Sequence, residues 1–114
     1  MNIKRGEIYL ADLNPTIGKE ISKTRPVLII SNDKNNLFSG TVTILPISSQ
    51  NLEKIYPFEV FLPKGSGNLP KDSKVKADQI RTIDKRRIIK FIGSLKIEEI
   101  ENVEKALKIH LELE

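Results

Sequence analysis

The feature that most limits what this chain can fold into is a change of hydrophobic period at Lys96. Before it, short apolar runs follow one another with Gly, Pro, Asn or Ser between them: GEIYLADL, PVLIIS, TVTILPIS and FEVFLP, then the longer SKVKADQIRTID and RRIIKFIGSL. Runs of this length and punctuation predict strands. Alternation places Ile8 and Leu10 on one face with Tyr9 on the other, and sets Val75, Ala77 and Gln79 opposite Lys76, Asp78 and Ile80. From Lys96 onward, Ile97, Ile100, Val103, Leu107 and Leu111 recur at steps of three and four, with Glu98, Glu99, Glu101, Glu104 and Lys108 mostly elsewhere around the turn. That pattern predicts an amphipathic C-terminal helix. Ser94 precedes it, and the glutamates of its first turn suit the positive end of the helix dipole. Consecutive short strands without long intervening helices make an antiparallel barrel or a strongly bent sheet, which the helix covers.

The chain has 114 residues, the length of one domain with one core, and no linker or repeat divides it, so residues 1–114 are expected to form a single unit. Hydrophobic residues are 39% and charged residues 30%, a globular composition rather than a disordered one. No segment reaches the ~18 consecutive apolar residues of a membrane span. Glu7 and Asp12 interrupt the N-terminal stretch MNIKRGEIYLADL, so it does not read as a signal peptide, and a cytoplasmic protein is expected. With no cysteine, thiol catalysis and cysteine-based zinc sites are excluded, and one histidine leaves little for a transition metal.

Charge is unevenly spread. Residues 96–114 hold three lysines against six glutamates, whereas residues 1–95 hold 16 basic against 9 acidic residues. The basic excess favours a polyanionic partner, although proteins that bind no nucleic acid also carry such an excess. Two polar loops are longer than turns require: residues 13–24, LNPTIGKEISKT, and residues 49–57, SQNLEKIYP. Binding commonly resides on such loops; simple surface mobility is the ordinary alternative.

Within this frame a few side chains invite chemistry. Arg25 stands before Pro26, which biases it to extended backbone and holds its guanidinium at a strand entrance, where it suits a phosphate. Its ordinary alternative is a salt bridge to Glu20 or Asp33. Ser48 and Ser49 close the third strand, and Lys76 and Asp78 share one strand face, either as a structural pair or as a base and a cation near a phosphate. His110 sits beside the packed face of the C-terminal helix and reads as a packing or surface residue.

Four segments, KRGEIYLADLNPTIGKE, TRPVLIISND, ILPISSQ and KADQIRTIDKRRI, taken in order, resemble the motifs of the MazF/PemK (Kid) toxins of bacterial type II toxin-antitoxin systems. The resemblance runs from Lys4 to about residue 111. It implies a mostly β fold with α: an SH3-like antiparallel β-barrel with a C-terminal amphipathic helix, the MazF/CcdB-like toxin fold, assembled as a homodimer. It also implies a sequence-specific, metal-independent endoribonuclease, an mRNA interferase without cofactor. In that family the ribose 2′-OH of single-stranded RNA attacks the adjacent phosphorus, leaving a 2′,3′-cyclic phosphate and a 5′-OH end.

Position by position, Arg25 matches the family's catalytic arginine, contacting the scissile phosphate and either protonating the leaving oxygen or stabilising the pentavalent charge. Ser48 stands where members usually carry threonine, its hydroxyl donating to a phosphoryl oxygen, with Ser49 as a neighbouring substitute. Asp78 and Lys76 match the acidic and basic positions of Kid-type members, and Asp78 also matches a base-reading position of MazF-type members. Kid-type members use a histidine in the first loop; residues 13–24 have none, which favours an arginine-plus-hydroxyl mechanism. Lys19, Glu20, Lys23, Ser49, Gln50, Lys54, Lys76 and Gln79 are then RNA contacts, the lysines mainly to phosphates. Aromatics are 5% and tryptophan is absent, so recognition leans on hydrogen bonds from the loops rather than on stacking.

The implied partner is a MazE-like antitoxin whose acidic, disordered tail occupies the RNA groove. A non-catalytic toxin of the same fold, such as the gyrase poison CcdB, is the principal alternative. That family relies on a C-terminal tryptophan, and this chain ends KIHLELE without one. An SH3-like binding module without catalysis is the third reading.

Overall fold

The structure, a computed structural model, describes residues 2–114. Seven strands form one antiparallel sheet: β1 (Glu7–Asp12), β2 (Thr24–Ile29), β3 (Thr41–Ser48), β4 (Glu59–Leu62), β5 (Ser73–Lys76), β6 (Arg81–Asp84) and β7 (Ile88–Ser94). Helix α1 (Asp33–Phe38) follows β2, and helix α2 (Ile97–Leu111) ends the fold. Pairing runs β4-β5-β3-β2-β1-β7, with β6 added to β3. The eight-residue β3 makes this possible: its first half pairs with β6 through Thr41–Ile44, and its last two residues pair with β5. Two register shifts between β1 and β7 bend the sheet further. Among the described residues no ladder joins β4 to β7, and no helix is long and apolar enough to cross a membrane.

The bend gives two apolar layers rather than one. Ile8, Leu28, Leu45, Ile47, Leu62 and Val75 pack beneath α2, which contributes Val103 and Ala106 with Ile100 and Leu107 beside them. Tyr9, Ala11, Val27, Ile29, Val42, Ile44 and Ile83 form the second layer. Tyr9 is therefore buried on the opposite face from Ile8, because β1 has protein on both sides rather than solvent on one. Each fully buried aliphatic here is worth about 1.5–3 kcal/mol of transfer free energy. Gly93 marks where β7 meets the 3-10 turn Ser66–Asn68: a Cβ there would lie 2.3 Å from the Gly67 carbonyl oxygen, so only glycine fits.

Three expectations need correction. The run SKVKADQIRTID is not one strand, because a 3-10 turn at Ala77–Gln79 separates β5 from β6. Ala77 N–H donates to Phe58 O at 3.1 Å, one step beyond the Glu59–Lys76 pair of the β4–β5 ladder, and the chain turns directly after it. Helix α1 was not apparent in a short polar segment; Asn32 caps it by accepting from Asn35 N–H. On α2, Ile97 and Leu111 are exposed, and Lys96, whose N–H donates to Glu99 Oε1 at 2.9 Å, stands at the N-cap, two residues beyond Ser94. The helix buries its central turns, at Val103 and Ala106 with Ile100 and Leu107 beside them, and not its ends.

Candidate active site

Strand β2 begins at the end of the first polar loop, and Pro26 keeps Arg25 extended at its mouth. Arg25 pairs with Ala11 of β1, and its Nε donates to Ser22 O at 3.2 Å. Neither expected carboxylate reaches it: Glu20 accepts from Ile17 N–H at 2.8 Å, and Asp33 accepts from Arg5 N–H at 2.7 Å. Among the described residues Arg25 has no ion-pair partner. It lines a cleft of about 180 Å³ with Ser49, Lys71 and Ser73. Lys71 was not singled out from sequence, since a lysine in a polar loop carries no signal of what it faces.

Strand β3 is the wall between this cleft and a second one. Ile47 and Ser49 face the first; Pro46 faces the second, a cleft of about 330 Å³ that also holds Lys19, Glu20, Asp78, Gln79 and Arg81. The β2–β3 ladder runs from Ile29–Ile44 to Val27–Pro46, and Arg25 and Ser48 each lie two residues beyond its last pair; Ser48 itself lines neither cleft. Ser48 is buried, and its Oγ accepts from Gln50 N–H at 3.1 Å. That bond uses an acceptor site and leaves the hydroxyl proton free to donate.

Other expected contacts are held by the protein itself. Gln79 Oε1 accepts from Ile21 N–H at 3.0 Å and its Nε2 donates to Lys19 O at 3.2 Å, so both ends of the amide hold the β1–β2 loop. Arg81 donates to Leu13 O at 2.8 Å, and Arg87 donates to Asp12 O and Asn14 O, at the root of the same loop. Lys23 sits there at φ 68°, its N–H on Asn14 Oδ1. Lys54 Nζ lies 4.8 Å from the centroid of the Tyr56 ring.

The β4–β5 side carries a charged cluster. Lys76 Nζ donates to Glu59 Oε2 at 2.6 Å and lies 3.8 Å from Asp78 Oδ1, so Lys76 and Asp78 do meet, across the 3-10 turn rather than along one strand face. Glu59 takes the closer share of the lysine. Asp78 Oδ1 is buried and accepts no hydrogen bond. Glu59 and Lys74, which sequence reading did not single out, are joined at 3.0 Å with side chains 1% and 5% exposed. Burial pushes the Glu59 carboxyl up, but hydrogen bonds from Lys76, Tyr56 N–H and Lys74 outweigh it and hold the group below its ordinary range.

His110 is exposed on α2, 6.1 Å from the Phe58 ring, and lines neither cleft. Among the described residues no three His, Cys, Asp or Glu side chains gather as a metal site would require. The arrangement offers a fixed cation beside hydroxyls in one cleft, and the Asp78 carboxylate, with its Oδ1 buried near Lys76, in the next.

Comparison with known proteins bears on what such a pair of clefts does. The sequence profile described as PemK-like, MazF-like toxin of type II toxin-antitoxin system matches residues 4–111. The chain is 39% identical to Endoribonuclease MazF9 of Mycobacterium tuberculosis over 116 aligned positions, covering 97% of this chain and 98% of that one. It is 40% identical to Endoribonuclease EndoA of Bacillus subtilis, covering 99% of this chain and 97% of that one. The crystal structure of MazF (Form-I) from Deinococcus radiodurans superposes with a TM-score of 0.85 at 27% identity, over 98% of each chain.

Proposed function

From the premise that this chain belongs to the PemK-like, MazF-like toxin family of type II toxin-antitoxin systems, we propose that it is a sequence-specific endoribonuclease toxin acting on single-stranded RNA. The observation that carries the reading is Arg25: a guanidinium held at a strand mouth, without a carboxylate partner, in a cleft with a hydroxyl and a second cation. The relatives named MazF9 and EndoA are endoribonucleases by name, which supports the same activity here.

The reaction is an internal transesterification needing neither metal nor cofactor. The 2′-oxygen attacks phosphorus as its proton leaves, the bond from phosphorus to the 5′-oxygen breaks, and that oxygen takes up a proton. The products are a 2′,3′-cyclic phosphate and a 5′-OH end. The forked N–H groups of Arg25 neutralise charge on the phosphorane oxygens. Ser48, with its proton uncommitted, donates to a phosphoryl oxygen; Ser49 and Lys71 border the same phosphate. Asp78 lines the neighbouring cleft; its Oδ1 is buried toward Lys76, so Oδ2 is the oxygen that accepts from the edge of a flanking base and contributes to sequence choice. Lys19, Glu20, Lys23, Gln50 and Lys54 border the path of the strand, while Lys76 and Gln79 act on it through the groups they hold.

The bent sheet is read as an SH3-like barrel, and the chain as one toxin domain working in the cytoplasm. It pairs as a homodimer, to which exposed Phe38, Ile89 and Phe91 contribute apolar surface. A MazE-like antitoxin with an acidic tail neutralises it. The test is incubation of purified protein with a long unstructured RNA in EDTA. Discrete cuts ending in 2′,3′-cyclic phosphate are expected; an uncut RNA, with folded protein, would overturn the reading in favour of a binding toxin.

A further inference from the structure

The Glu59–Lys74 pair is a buried charge cluster that the reaction does not use, and removing two charges from water is costly. What the pair holds is informative. A lysine ammonium has three donors, and those of Lys74 have three acceptors: Glu59 Oε1 at 3.0 Å, Asn51 O at 2.9 Å and Lys54 O at 3.4 Å. Two of the three are backbone carbonyls of the β3–β4 loop. Glu59 adds a third tie to that loop, accepting from Tyr56 N–H at 3.0 Å, while its other oxygen is held by Lys76. The loop is thus fixed at Asn51, Lys54 and Tyr56 by two side chains on neighbouring strands. Asn51 is in the left-handed region, φ 52°, and the ammonium on its carbonyl stabilises that turn. Lys74 is also the direct cross-strand partner of Ser48, the residue from which the loop departs.

We propose that Glu59 and Lys74 are positioning residues: together they set the conformation of the β3–β4 loop, and through it the placement of Ser48 and the choice of RNA sequence. The effect on cleavage rests on the ribonuclease reading; the effect on the loop does not. A hydrophobic pair would pack β4 on β5 equally well but would leave the loop carbonyls without donors. The ionic pair, unlike a hydrophobic one, supplies donors to the loop carbonyls of Asn51 and Lys54.

The experiment compares wild type, Lys74→Met and Glu59→Gln by hydrogen exchange and by cut-site mapping on a long RNA. Lys74→Met leaves Glu59 with Lys76 as counter-ion, so no buried charge is stranded and the sheet is retained. Glu59→Gln is the harsher change: its amide oxygen can still accept from Tyr56, but the buried Lys74 ammonium loses its counter-ion and an amide N–H2 is set against Lys76. The Gln50 and Tyr56 amides should exchange roughly tenfold to a hundredfold faster in Lys74→Met, the range expected for losing charge-assisted hydrogen bonds, and faster still in Glu59→Gln. Protection in β1, β2 and β3 should persist, and discrimination among cut sites should fall in the same order. Unchanged loop exchange, or equal loss of protection throughout the sheet, would overturn the proposal. If wild type cuts no RNA, the ribonuclease reading falls, and the exchange data still decide the positioning role.

Discussion

Gln79 offers a quantitative test of how the β1–β2 loop is held. Its amide oxygen accepts from Ile21 N–H at 3.0 Å, and its amide nitrogen donates to Lys19 O at 3.2 Å. Both bonds are neutral, and each contributes about 1 kcal/mol net. The Lys19 carbonyl is exposed and regains water when Gln79 is removed; the Ile21 amide is partly buried and recovers less. Gln79→Ala should therefore favour local opening of the loop by about 1–2 kcal/mol, a factor of roughly fivefold to thirtyfold. The loop root stays in place, because Arg81 still donates to Leu13 O and Leu13 N–H to Lys23 O. Exchange at the Ile21 amide should accelerate by that factor while amides of β2 and β3 keep their protection. In single-turnover cleavage, kcat/KM should fall in proportion to the closed fraction, and so by less than exchange accelerates, since RNA must select the closed loop. A loss of kcat/KM with unchanged Ile21 exchange would refute this reasoning and make Gln79 a direct RNA contact. Faster exchange with unchanged cleavage would remove the loop from the groove.

Ser48→Ala should slow cleavage about 10²-fold if its hydroxyl is one stabilising donor, with Ser49→Ala much milder; the reverse order in stopped-time assays would transfer the role to Ser49. The Tyr9 phenol is pushed up from 10.0 to about 12 by burial, then by its hydrogen bond to Glu7 and the charge there. Because the folded state holds this proton more tightly, its stabilisation is complete below pH 10 and is lost as pH rises toward 12, by up to roughly 3 kcal/mol. Urea unfolding at about pH 9 and about pH 11.5 should show that loss in wild type and a smaller one in Tyr9→Phe; identical losses would contradict it.

Much of the fold was legible because strands half-covered by solvent or buried in short runs keep a local period, as in TVTILPIS and FEVFLP. Where other forces decide, the period fails. Ala77, Asp78 and Gln79 carry no glycine or proline to announce a turn, and strand pairing with β4 runs right up to Ala77 before the chain leaves it. The six residues of α1 are too few to show helical spacing, and Asn32 alone signals its start. At the site, Arg25 before Pro26 could be read locally. The function of Lys74 could not: alternation assigns its side chain to a face, but only the loop folding over that face makes it buried. Gln79 is similarly opaque, because its partners Lys19 and Ile21 lie in another strand connection. Alternation brought Asp78 near Lys76, and the two lie 3.8 Å apart, yet the closer claim of Glu59 on that lysine was invisible without β4 in place.

The most direct test of the central claim is single-turnover cleavage of one long unstructured RNA in EDTA by wild type, Arg25→Ala and Arg25→Lys, each verified as folded. Wild type should give discrete cuts with 2′,3′-cyclic phosphate ends, Arg25→Ala none, and Arg25→Lys little recovery, because an ammonium lacks the bidentate fork. Equal cutting by all three proteins would contradict the account.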